Sequence, residues 1–180
     1  MTAFETVRTL GADGQPLAVP TDAIRARATA LRVLNATVLA AWATVSPEGQ
    51  AHVNIGYFAY SESLTLYLLS HPNSRHCRNL RVNPSMAVAV FASNQSWTEP
   101  GRGIQLFGRC EQVTDALAPE ARRVYSERFP AFREWEQALQ PGDAAFEYRF
   151  YRFLPDTVKI LDEAEFGDGV FVEADIVPRS

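Results

Sequence analysis

The stretch LYLLSHPNSRHCRNLRVNP, residues 66–84, places Ser70, Ser74, Arg75 and His76 close together and follows them with Arg78 and Arg81. Hydroxyl and guanidinium donors of this kind suit a phosphate monoester when they stand beside a helix start. Unpaired backbone N–H groups and the positive end of the helix dipole then point at the same place. The segment NSRHCRNL reads as such a helix, begun by Asn73 or Ser74. The chain carries 21 Asp and Glu, yet none falls between Ser63 and Thr98, so the local field is positive although the net charge is -4. Taken alone, the pattern fits equally well a solvated basic helix end whose Arg78 and Arg81 pair with acids elsewhere.

Other chemistries find less support. His71 and His76 are five positions apart, which does not bring both to one helix face as a metal pair requires, so no metal is expected. Cys77 and Cys110 show neither CxxC nor zinc-finger spacing and read as reduced, buried thiols. No GxSxG, GxxxxGK[ST] or HExxH occurs, which removes the common hydrolase and kinase readings.

The elements that must position the basic segment are mostly strands. TVLAAWATVS (37–46) and AHVNIGYFAY (51–60) flank the turn PEGQ and form a hairpin. SLTLYLLS (63–70), SMAVAVFAS (85–93) and GIQLFGRCEQV (103–113) follow as further strands. FEYRFYRFLPDTVKILD, interrupted by Pro155, supplies the last, and together these predict an antiparallel barrel. A helix capped by Thr21 or Asp22 precedes them, with Ile24, Ala28, Leu31 and Leu34 at helical spacing. A helical insertion spans about 115–139, its buried face carrying Ala118, Ala121, Val124, Tyr125 and Phe129, with Pro130 as a break. Residues 1–20 read as a loosely ordered arm, 21–162 as the domain, and 163–180 as an acidic tail.

A chain of 180 residues with 47% hydrophobic and 21% charged residues suffices for one well-packed core. Its acidic balance argues against nucleic acid and anionic membrane as partners. No run approaches about 20 apolar residues, so a soluble, cytoplasmic protein is expected.

The order GQAHVNIGYFAYSESLTLYLLSHPNSRHCRNLRVNPSMAVAV resembles the pyridoxamine-phosphate-oxidase-like family of flavin-binding split barrels. The resemblance covers residues 35–113 and extends more loosely to Asp162; IQLFGRCEQVTD and ARRVYSERFP are similar to a subgroup of small bacterial proteins. It implies a mainly β split barrel with flanking helices that binds FMN at a homodimer interface. Ser70, Ser74, Arg75 and His76 match the positions that hold the FMN phosphate, although His76 departs from the usual Lys or Arg. Its ordinary pKa of about 6.5 would supply a full charge only in mild acid. Asn54, Ile55, Gly56 and Tyr57 match the strand along the isoalloxazine edge, and Gly56 would permit close approach. Gln105, alternating on the fifth strand, either reaches the flavin pyrimidine oxygens or faces solvent, and Trp97 either covers a bound ring or anchors its loop. True pyridoxamine phosphate oxidases carry a C-terminal Arg-x-His segment, whereas VKILDEAEFGDGVFVEAD has neither residue and several acids, so that activity is rejected. The resemblance leaves an FMN-dependent oxidoreductase of a small organic molecule, with a deazaflavin (F420)-dependent reductase or a non-catalytic flavin- or haem-binding protein as alternatives.

Overall fold

In the computed structural model, which describes residues 2–178, the chain forms one eight-stranded antiparallel sheet with helices on its flanks. The strands are β1 (Thr2–Leu10), β2 (Leu39–Val45), β3 (Ala51–Tyr60), β4 (Leu66–Ser70), β5 (Ser85–Val90), β6 (Arg102–Gln112), β7 (Arg149–Asp162) and β8 (Phe171–Pro178). The helices are α1 (Ala23–Ala36), α2 (Arg75–Val82), α3 (Ala118–Arg128), α4 (Phe132–Ala138) and α5 (Glu163–Phe166). Six strands, in the order β7-β4-β3-β2-β5-β6, close into a barrel through pairing of β6 with β7.

The barrel is split because β7 changes partners along one edge. Residues Arg149 to Phe153 pair with β4 and residues Thr157 to Leu161 with β8, while the other edge stays on β6. Pro155, which has no N–H to give a ladder, lies between the two halves. Asp156 is the extra residue of a bulge facing Phe107 and Gly108. Gly108 is required there, since a Cβ would lie 2.2 Å from the Leu154 carbonyl oxygen.

The two chain ends differ from the sequence expectation. Instead of a loosely ordered arm and an acidic tail, they form paired strands, and β8 extends β7 beyond the split. Arg8 of β1 meets Glu173 of β8 at 2.6 Å, so the acids of the tail are countered across the ladder. Thr9, Phe4 and alternate β8 residues turn inward, a period-2 pattern hidden by the polar residues between them.

Side chains that are essentially fully buried fill the barrel, among them Phe58, Leu66, Leu106, Phe153, Val158 and Ile160. Helix α1 begins at Asp22, whose carboxylate accepts from the Arg25 N–H at 2.8 Å. Its buried stripe is Ala26, Ala30, Val33 and Leu34, rotated from the expected one; Ile24 is 82% exposed. The alanines let the helix lie close to the sheet, which a stripe containing Ile24 would prevent. Arg128 ties α3 to the other end of α1: its Nη2 donates to the carbonyls of Leu34, at 2.7 Å, and Thr37, at 2.5 Å. The guanidinium sits over the rings of Phe58 and Tyr60, at 4.6 and 4.8 Å.

Pro130 separates α3 from α4 as expected, and this insertion packs a second, aromatic cluster on the outside of the barrel. Tyr125, Phe132 and Phe150 meet there with ring centroids 5.0–5.8 Å apart. Tyr67 of β4 joins them, so β4 is buried on both faces, which explains its uninterrupted apolar run. No helix among the described residues is long and apolar enough to cross a membrane.

Candidate functional site

The segment singled out above forms the corner between β4 and α2. Ser74 has extended backbone angles and caps α2, its Oγ accepting from the Cys77 N–H at 3.4 Å. The same oxygen lies 3.1 Å from His76 Nε2 and 3.4 Å from Ser70 Oγ; Ser70 Oγ in turn lies 2.7 Å from His76 Nε2. Three hydrogen-bonding groups from a strand end, a cap and the first turn of a helix thus converge on one point.

His76 is buried. The edge of Trp42 abuts it with centroids 5.9 Å apart, and His52 of β3 stacks on it at 6.2 Å with ring planes 6° from parallel. Burial, and secondarily the facing His52, lower its pKa to about 4. The imidazole is therefore neutral at physiological pH, well below the ordinary value assumed from sequence.

The arginines behave differently from one another. Arg75 is exposed and reaches back to the β2–β3 turn, donating to Gln50 Oε1 at 3.1 Å. Arg78 and Arg81 pair with no acid among the described residues: they donate to the backbone carbonyls of Asn73 and Pro72 and hold the loop that enters α2. The basic residues thus build the corner as well as charging it.

Asn54, Ile55, Gly56, Tyr57, Ser70, Ser74 and His76 all line one cleft of about 740 Å³. Arg75 stands outside this lining. Gln105 lies on the outer face of β6, between Ala89 and Lys159, and borders other depressions, the larger of which holds about 600 Å³. Trp97 tops the loop beside it and is fully exposed, neither covering the cleft nor anchoring the loop. That loop is held instead by Gln95, whose side chain bonds Ala92 O, Arg102 O and Arg102 N at 2.6–2.9 Å. A groove of about 790 Å³ between α1 and α3 contains none of the candidate residues.

Gly56 is crowded from inside the barrel. A Cβ there would lie 2.5 Å from Cη2 of Trp42, so the close approach it permits is that of the indole. Trp42 Nε1 is buried without an acceptor among the described residues, and the residue lines the cleft.

The far wall was not anticipated from sequence. Tyr125, Phe129, Phe132 and Trp135 come from α3, α4 and their junction, and Tyr148 and His71 complete the lining. Tyr57 meets Phe129 edge-to-face at 5.6 Å, joining the strand floor to this aromatic wall. The helical spacing of the aromatics across Pro130 was the available signal. Among the described residues, no Asp, Glu, Lys or Arg lines the cleft.

Outside the barrel, Leu39, Val45, Val53, Ile55, Tyr57 and Phe107 form exposed apolar surface on β2, β3 and β6, with Ile55 67% exposed. Ile55 and Tyr57 belong to both this face and the cleft rim.

Solved structures share this architecture. An FAD-binding protein from Mesorhizobium loti aligns with a TM-score of 0.56 and 23% identity over 94% of this chain and 99% of its own. A heme binding protein from Mycobacterium smegmatis aligns with a TM-score of 0.65 and 19% identity over 87% of this chain and 60% of its own. A protein from Agrobacterium tumefaciens gives 0.61 and 20% identity over 84% of this chain and 64% of its own. This chain thus spans less than two thirds of the latter two. No curated protein sequence matches the chain. The sequence model for pyridoxamine 5'-phosphate oxidase matches residues 26–161, well over half the chain, and the protein belongs to that family of split barrels.

Proposed function

We propose that the protein is an FMN-dependent oxidoreductase of a small organic molecule, working as a homodimer. One observation carries the reading: Ser70, Ser74 and His76 converge at the capped start of α2, in a cleft that no acidic residue lines among the described residues. A helix N-terminus with hydroxyl donors suits a phosphate without a fixed counter-charge. Arg75 adds that charge by turning from Gln50, a neutral partner at an exposed position that it leaves at little cost. Asn54 to Tyr57 lie along the floor beside this corner, where the flavin ring would rest. A bound flavin supplies hydride or electron transfer, and the protein supplies orientation and electrostatics.

The outer face supports the dimer. An apolar strip spanning β2, β3 and β6 is the kind of surface that a second copy covers, and a two-fold pair would bring the same strip to both sides. Because Ile55 and Tyr57 belong to strip and cleft alike, the partner would border the flavin site. Gln105 would then serve at the interface.

Activity on a phosphorylated B6 vitamer is not proposed, since the region through β7, α5 and β8 brings acids and no Arg-x-His segment. The FAD-binding and heme binding neighbours show that related folds hold either kind of group. Absorbance of the purified protein and mass spectrometry of the molecule released on denaturation decide among them. FMN is expected; a Soret band or a released deazaflavin would replace the assignment.

A further inference from the structure

We propose that the aromatic end of the cleft is a binding subsite for an uncharged planar ring bearing a carbonyl group, and that the substrate is of this class. The assignment of substrate rests on the flavin reading above; the subsite stands on residues that the phosphate corner does not use.

Three features of this end select the ligand. The first is shape and surface. Phe129 and Trp135 line this end, with Phe132 packed against Trp135 at 5.6 Å, and Tyr148 lines the same cleft. Trp135 and Tyr148 are 39% and 37% exposed, so large ring faces are held partly in water by a packed support. Flat aromatic walls favour a flat partner that stacks on them.

The second is the absence of charge. Among the described residues no Asp, Glu, Lys or Arg lines the cleft, and Arg75, the one guanidinium proposed to reach it, serves the α2 corner, so a charged substituent at the aromatic end would lose hydration and gain no counter-ion. A carboxylate or ammonium on the ligand is thereby disfavoured.

The third is a polar handle. His71 Nδ1 accepts the Asn73 N–H at 3.0 Å, which leaves Nε2 to carry the proton in the neutral ring. The ring meets Tyr148 edge-to-face at 6.2 Å and lines the cleft. A carbonyl oxygen is the complementary acceptor for that N–H.

Coumarin and coumarin-3-carboxylate share one planar lactone and differ by a negative charge, which makes them a suitable probe pair. Calorimetric titration of each into the FMN-saturated protein should show saturable binding of coumarin and about tenfold or weaker binding of the carboxylate. Trp135→Ala and His71→Ala should each weaken coumarin about fivefold or more, while Trp135→Phe retains most of the affinity. FMN affinity should be unchanged by Trp135→Ala, which also shows that the variant is folded. Equal binding of the two coumarins, or coumarin affinity indifferent to both alanine variants, would overturn the subsite. Should FMN fail to bind, the same titrations on the protein as purified still decide: discrimination there keeps the subsite while the flavin reading falls.

Discussion

Replacing Gly56 by Ala tests how the barrel interior supports the corner of Ser70, Ser74 and His76. The added Cβ would stand 2.5 Å from Trp42 Cη2, 3.3 Å from Cζ3 and 3.4 Å from Cζ2. Ordinary carbon contacts lie at roughly 3.5–4.0 Å, so the indole must retreat by about 1 Å. It has little room, being 2% exposed and wedged edge-on against His76. Overpacking of this kind costs about 1–3 kcal/mol. For a domain of this size that lowers Tm by about 2–12 °C. Because His76 bonds to both serines, the displacement should also weaken FMN binding. Thermal unfolding of the four members of a Gly56→Ala, Trp42→Phe cycle gives the check. Phe lacks the far edge of the indole, so the double variant should lose less than the two single changes combined. Strict additivity, or an unchanged Tm for Gly56→Ala, would refute the packing argument.

Arg128→Met keeps much of the stem but removes the bonds to Leu34 and Thr37 and the stacking on Phe58 and Tyr60. A loss of about 2–4 kcal/mol is expected, read as a lower urea midpoint. His76 titrates at about 4 in the folded protein, below its ordinary value of about 6.5, so at intermediate pH the unfolded chain binds a proton that the folded one refuses. Its contribution to stability is therefore complete above about pH 6.5 and is lost as pH falls toward 4; His76→Asn should show a shallower decline when urea unfolding is compared at about pH 7 and 5. Light scattering should return twice the chain mass of 20.0 kDa, and Ile55→Glu, which puts a charge on the apolar strip, should shift it toward the monomer.

The barrel was legible because its signals are local. PEGQ bends back through Ser46 and Gly49 as a tight turn, and the uninterrupted run of β4 and the capped start of α2 lie where the residue types place them. The end strands were not, because β1 and β8 stabilise one another across more than 160 positions and neither has a strong pattern alone. The corner at the start of α2 was legible as a set of donors, whereas the state of His76 was not: its neutrality comes from burial against Trp42 and His52, which other strands supply. The direction taken by Arg75 depends on Gln50, 25 positions away. The aromatic wall needed the fold of α3 and α4 over the cleft, and Gln105 followed the strand alternation to the outer face.

The central claim is that a phosphate seats on Ser70, Ser74 and His76, with charge from Arg75. Comparing FMN with riboflavin, which lacks only the phosphate, isolates that contact. The wild-type protein should bind FMN at least about tenfold more tightly, and Arg75→Ala, by removing a charge-assisted bond worth about 1.5–3 kcal/mol, should erase most of the difference while leaving riboflavin unchanged. Equal affinity of the wild-type protein for the two flavins would contradict the account.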